Sequence, residues 1–120
     1  MKQILLVEDN ELNRDMLARR LTRLGYDVVY ALNGKEAAKM AAQFEPAVIL
    51  MDMSLPIMSG WDAAKIIKEN DKTAAIPIIG LSAHASPDDR QRALDMGCDD
   101  YETKPIDLER LVSKIELLTS

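Results

Sequence analysis

The chain of 120 residues has a single cysteine, a single histidine, a single tryptophan and a single phenylalanine, and each shortage closes a line of chemistry. Cys98 has no partner for an internal disulfide, and with His84 the only histidine there is no nitrogen and sulfur donor set for zinc or copper. The thiol reads as a small half-buried apolar residue with no role. Excess basic charge is also missing: 15 Lys and Arg face 20 Asp and Glu, for a net charge of −5. That sign opposes binding to phosphate backbones and anionic lipid surfaces, so neither direct nucleic-acid binding nor membrane association is expected. No run approaches the roughly 20 apolar residues of a membrane span, and the start MKQILLVEDN reaches acids too early for a signal peptide. A cytoplasmic location is the expectation. Internal repeats, low-complexity tracts and linkers are not found.

What is present suits one domain over residues 1–120: 48% hydrophobic and 29% charged residues are ordinary for a globular chain that folds alone. A folded protein of this length should expose roughly 6,500 Å² of the roughly 19,000 Å² of its open chain, enough burial for a core without a metal or disulfide staple. Short, nearly continuous apolar runs at Ile4–Val7, Val28–Ala31, Ala47–Met51 and Ile76–Leu81 predict strands covered on both faces. A weaker segment, Asp99–Thr103, would be a fifth strand.

Helical stretches lie between these runs. Asn10 precedes a helix carrying Leu12, Met16, Leu17, Leu21 and Leu24, which Gly25 closes in the left-handed conformation. Asn33 followed by Glu36 reads as a capping box. Trp61–Asn70 would turn Ala64 and Ile67 inward. Ser86-Pro87-Asp88-Asp89 supplies an N-cap, a proline for the first turn and two acids at the positive dipole end, with Gly97 at the far end. Leu108, Leu111, Val112, Ile115 and Leu118 mark the last helix. Strand and helix alternate, which implies an α/β fold with a parallel sheet and helices on both sides.

Ligands of open parallel sheets bind beyond the carboxyl ends of the strands, and those ends are polar here. Glu8 and Asp9 follow the first strand, Asp52 the third and Ser82 the fourth, while Lys104-Pro105 follows the presumed fifth. Three carboxylates in one pocket repel and desolvate one another at a cost of several kcal/mol unless a cation neutralises them. Magnesium suits such a set, because it takes a few carboxylates with several waters and leaves positions for a phosphoryl oxygen.

Taken in order, these residues resemble the receiver domain of bacterial two-component response regulators along the whole chain. The resemblance implies a flavodoxin-like (βα)5 doubly wound sandwich with sheet order 2-1-3-4-5. It makes Asp52 the phosphoacceptor and implies Mg²⁺, with Mn²⁺ as a substitute, held directly by Asp9 and Asp52, by Glu8 through water and by the backbone carbonyl of Ser54. Ser82 corresponds to the switch hydroxyl, Lys104 to the lysine that contacts the phosphoryl group, and Tyr101 to the rotating aromatic. The run Asp52-Met53-Ser54-Leu55-Pro56, followed by Gly60, is similar to the family's loop after strand three, and Lys104-Pro105 to its cis peptide. Ser54 and His84 would tune hydrolysis of the acyl phosphate. Backbone N–H groups around Met53 and Ala83 would serve phosphoryl oxygens. Glu in the first acid position and Ser in the switch position are modest departures.

The expected function is that of a stand-alone receiver. It would take a phosphoryl group from a sensor histidine kinase or histidine phosphotransfer protein and pass the signal through the fourth helix, fifth strand and fifth helix to a downstream protein, as a signalling domain and not an enzyme. It would be a monomer, with dimerisation on phosphorylation left open. Arg14, Arg19, Arg20 and Arg23 give the first helix a local basic excess suited to an acidic kinase or phosphotransfer partner. An aspartate-nucleophile phosphatase would want a second aspartate two residues after Asp52, where Ser54 stands. A non-phosphorylated scaffold pseudo-receiver would want a defect among the acids, hydroxyl and lysine, and there is none. Trp61 and the methionines read as core or helix-face residues, with Met58 exposed on its loop.

Overall fold

A computed structural model describes residues 2–55, 57–83 and 86–120. Five strands alternate with five helices: β1 (Gln3–Val7), α1 (Glu11–Arg23), β2 (Asp27–Ala31), α2 (Gly34–Phe44), β3 (Val48–Asp52), α3 (Gly60–Glu69), β4 (Ile78–Ser82), α4 (Pro87–Asp95), β5 (Asp100–Thr103) and α5 (Leu108–Thr119). All strand pairs are parallel, in the order β2-β1-β3-β4-β5. The order reverses direction between β1 and β3, so their ends open onto the crevice of a doubly wound sheet.

Side-chain alternation in the central strands builds a core on each face. Leu5, Val7, Ile49 and Met51 meet Ala37 and Ala41 of α2, Ala63, Ala64 and Ile67 of α3, and Ala93 of α4. Ile4, Leu6, Val48 and Leu50 meet Leu21 of α1 with Leu111 and Ile115 of α5. The accessible surface is 6459 Å², matching the expectation for a chain that buries about two thirds of its area.

The local helix signals act as read. Asn10, Asn33 and Ser86 each accept a hydrogen bond from the amide three residues on, and Gly25 and Gly97 take φ of 97° and 109° just past their helices. Several non-local expectations shift. The fourth strand begins at Ile78 rather than Ile76, because the Ile76 amide closes a turn onto Thr73 and Pro77 has no N–H to offer a ladder. The third strand includes Asp52 itself. β2 is an edge strand with Tyr30 half exposed, so it is not covered on both faces. Along α1 the fully inward residues are Arg14 and Leu21, with Leu17 half-buried against the core as expected, while Leu12, Met16 and the C-cap residue Leu24 face solvent. Met58 is half-buried against the core instead of exposed, and Cys98 is fully buried. Burial, followed by the charge of Asp99, pushes the Cys98 thiol up to about 12, which leaves it inert.

Candidate functional site

The carboxyl edge of the sheet gathers residues that lie far apart in the chain. The Glu8 amide donates to the Ala31 carbonyl at 3.2 Å, which continues the ladder past β1 and keeps Glu8 buried at 5% exposure. Asp9, one residue further, faces solvent. Asp52 ends β3 at 6% exposure, and its Oδ1 accepts from the Ser54 amide at 2.9 Å. Lys104 follows β5, and its amide donates to the Ser82 carbonyl at 2.7 Å. Its Nζ donates to Glu8 Oε1 and to Asp52 Oδ2, both at 3.2 Å.

The electrostatics follow from burial and crowding. Burial, then the neighbouring Asp52 carboxylate, raises the Glu8 carboxyl from its ordinary 4.5 to about 7, against the pull of Lys104. Burial would also raise Asp52, but a hydrogen bond from Glu8, the Ser54 amide and the Lys104 ammonium together hold it low. Burial would lower Lys104, and the two carboxylates hold it above its usual value instead. Near neutral pH the metal-free site therefore keeps a carboxylate on Asp52 and an ammonium on Lys104, while Glu8 stands near the midpoint of its titration.

One ligand oxygen from each of Glu8, Asp9 and Asp52 falls within 4.8 Å of the others. Glu8 Oε2 is buried and has no hydrogen-bond partner among the described residues. A buried carboxylate oxygen without a partner calls for a donor or a cation. An all-oxygen set with one solvent-facing member fits a hard divalent ion that retains several waters.

Ser82 ends β4 at 2% exposure, in register with Thr103 beside Lys104. The Lys104-Pro105 peptide is cis. Tyr101 is 3% exposed, and a Cβ on Gly80 would touch its ring at 3.2 Å, so the aromatic expected to rotate in from a strand edge already lies inside. The Met53 amide donates to the Leu81 carbonyl at 2.9 Å, which commits to the sheet an N–H expected to serve a phosphoryl oxygen; Ser54 carries the loop amide turned toward Asp52. Ala83 is exposed just past β4. His84 and Pro56 lie outside the described residues.

Sequence reasoning missed Arg14 as part of this region. Its guanidinium is buried, stacks 4.7 Å from the centroid of the Tyr30 ring and brings Nη1 to 3.5 Å from the Glu8 carbonyl. A groove of about 580 Å³ runs between α1 and the segment after β5, lined in part by Met16, Arg20, Lys104, Pro105 and Ile106.

Residues 4–116 match the sequence pattern of the response regulator receiver domain. The polar-differentiation response regulator DivK of Brucella anthropi is 36% identical over 115 residues, which cover 96% of this chain and 94% of DivK. Among solved structures, the receiver domain of sensor histidine kinase PA1611 from Pseudomonas aeruginosa, with a magnesium ion coordinated in its active-site cleft, superposes with a TM-score of 0.91 at 34% identity, covering 98% of this chain and 97% of that one. The co-crystal structure of the Saccharomyces cerevisiae histidine phosphotransfer protein Ypd1 with the receiver domain of Ssk1 gives a TM-score of 0.91 at 34% identity, covering 98% and 88%.

Proposed function

The chain belongs to the response regulator receiver domain family and acts in phosphorelay signalling, and from that premise we propose that residues 1–120 form one receiver unit in which Asp52 is the phosphoacceptor. The observation that carries this is the placement of Lys104 Nζ at 3.2 Å from Asp52 Oδ2, with the Ser54 amide on Oδ1 and the acid pair Glu8 and Asp9 alongside.

Lys104 and the Ser54 amide keep Asp52 ionised, as an attacking carboxylate must be. In transfer from a phosphohistidine, the O–P bond forms to an Asp52 oxygen as the P–N bond breaks and its electron pair stays with the departing imidazole. Asp9 and Asp52 would hold Mg²⁺ directly, Glu8 through a water, and the Ser54 carbonyl would complete the protein's share, with Mn²⁺ as a substitute. The chemistry a bound ion supplies is neutralisation of charge on the equatorial phosphoryl oxygens. Lys104 would move from bridging the two carboxylates to contacting the phosphoryl group, while the Ser82 hydroxyl and the Ala83 amide serve its remaining oxygens. Ser54 and His84 would tune hydrolysis.

The signal is read from Ser82 and Tyr101. Because the Tyr101 ring is already inside, phosphorylation would lock the inward packing of β5 against α4 and α5 rather than drive a rotation. The chain would act as a signalling protein in the cytoplasm and not as an enzyme that turns over external substrates; no helix among the described residues is long and apolar enough to cross a membrane. The phosphoryl donor would be a histidine kinase or histidine phosphotransfer protein seated on α1, where Leu12 and Met16 are exposed beside the groove and Arg19 and Arg20 suit an acidic rim. Incubation with a phosphorylated phosphotransfer protein tests the reading: transfer of label to the wild type and not to Asp52→Asn is expected, and equal labelling of both overturns it.

A further inference from the structure

Three observations converge on the loop from β3 to α3. Ile57 takes φ of 66°, in the left-handed region that β-branched residues rarely enter, and at 82% exposure its own side chain gains no burial there. Met58 follows, half-buried against the core, and its carbonyl abuts Gly34, the first residue of α2. A Cβ on Gly34 would overlap that oxygen and stand 3.0 Å from both the carbonyl carbon and the Cβ of Met58. At the far end of the loop a Cβ on Gly60 would run into the Asp52 carbonyl and stand 2.7 Å from the Met53 Cα, and the Gly60 amide donates to the Met53 carbonyl at 3.3 Å. Between these close approaches lies Ser54, with its amide on Asp52 Oδ1.

A strained residue persists only where its surroundings hold it. We propose that Gly34 is a positioning residue for the Asp52 loop. Its missing side chain gives the Met58 carbonyl a seat on α2, the seat holds the Ile57 turn, and the turn sets where the Ser54 amide and carbonyl meet the acid site. An alanine at 34 has to displace either α2 or the loop. α2 is pinned by Ala37 and Ala41, both fully buried, and Asp52 is fixed in a central strand, so the displacement passes along the loop to Ser54. The consequence for phosphorylation rests on the reading of Asp52 as acceptor; the geometric coupling does not.

The test compares wild type, Gly34→Ala, Gly25→Ala, Ile57→Gly and the Gly34→Ala/Ile57→Gly pair. Gly25→Ala is a matched control: it forces a side chain into φ of 97° but meets nothing within 4 Å, so it loses stability away from the loop. Amide hydrogen exchange in metal-free protein is the first readout. Ser54 is expected to exchange about tenfold faster in Gly34→Ala and to keep its wild-type rate, corrected for global stability, in Gly25→Ala. The pair is expected to recover most of that protection, since glycine at 57 lets the turn re-seat without strain. Labelling by acetyl phosphate with Mg²⁺ is the second readout, slowed in Gly34→Ala and unchanged in Gly25→Ala. Unchanged Ser54 exchange in Gly34→Ala, or a loss that simply adds to that of Ile57→Gly in the pair, overturns the proposal. Should Gly34→Ala not fold alone, recovery of folding with near-wild-type Ser54 protection in the pair supports the coupling, and a pair that stays unfolded while Ile57→Gly folds overturns it. A wild type that takes no label while Gly34→Ala still frees the Ser54 amide upholds the coupling and sinks the reading of Asp52 instead.

Discussion

The ammonium of Lys104 and the carboxylate of Asp52 stand 3.2 Å apart, across a sheet in which β4 separates the strands that carry them. The same Nζ reaches Glu8 at the same distance, so one cation holds two buried carboxylates together in the metal-free protein. Replacing Lys104 with methionine should separate its two duties. Phosphorylation by acetyl phosphate should slow by about a hundredfold, as for loss of one preorganised charge at a transition state. Mg²⁺ affinity should rise, because the acids lose the cation that competes for their oxygens. Calorimetric titration with Mg²⁺ beside a labelling time course reads both, and a parallel fall in the two would mean that the lysine only holds the fold.

Asp52→Asn removes the charge that raises Glu8 and that Lys104 and the Ser54 amide hold. Because Asp52 lies below its ordinary value in the fold, its carboxylate adds stability at neutral pH, so the metal-free variant should be less stable than wild type by about 1 kcal/mol, and the Glu8 carboxyl should move back toward its ordinary range. Urea unfolding in the presence of a chelator measures the first, and carboxyl carbon NMR the second.

Stability should also track Glu8. Its folded value of about 7 lies above its ordinary 4.5, so the folded state binds the proton more tightly than the unfolded chain does. The stabilisation is complete below about 4.5 and is lost as pH rises through about 7. Thermal unfolding of metal-free protein should therefore show Tm falling between these limits, with saturating Mg²⁺ restoring it on the alkaline side, and a Tm that climbs steadily over this interval in chelator would contradict the assignment.

The lone tryptophan offers a gauge of α4. The Arg92 guanidinium lies 4.5 Å from the centroid of the Trp61 ring and joins α4 to the start of α3. Arg92→Ala should cost about 0.5–1 kcal/mol and alter the emission of Trp61. If phosphorylation repacks α4, the wild-type emission change on beryllofluoride binding should shrink in this variant.

On α1, exchanging Arg19 and Arg20 for glutamate should slow transfer from an acidic phosphotransfer protein about tenfold at low salt and leave labelling by acetyl phosphate intact. Equal slowing of both donors would place the effect in the site and not in docking.

The parts of this molecule that were legible in the sequence are those that act over a few residues or sit at strand ends. Asn10, Asn33 and Ser86 cap their helices because a side-chain oxygen reaches an amide three positions on, whatever the rest of the fold does. Glu8, Asp9, Asp52, Ser82 and Lys104 fall on one edge because parallel strands share a direction. What stayed hidden depends on packing between distant elements. Periodicity gave α1 an apolar stripe but not the choice that buries Arg14 and leaves Leu12 and Met16 in solvent, since that choice depends on Tyr30 and the Glu8 carbonyl across the turn. The edge position of β2, the inward ring of Tyr101 and the seat of Met58 on Gly34 likewise need the sheet order and the neighbouring helices to be known first. The engagement of the Met53 amide with the Leu81 carbonyl likewise follows from the β3 and β4 register.

The most direct measurement is to incubate wild type and Asp52→Asn with acetyl phosphate, with and without Mg²⁺, and to follow intact mass and the labelled peptide. A gain of one phosphoryl group, confined to wild type with Mg²⁺ and mapped to Asp52, is the result predicted here; label that persists in the variant, or that forms equally well in chelator, would contradict it.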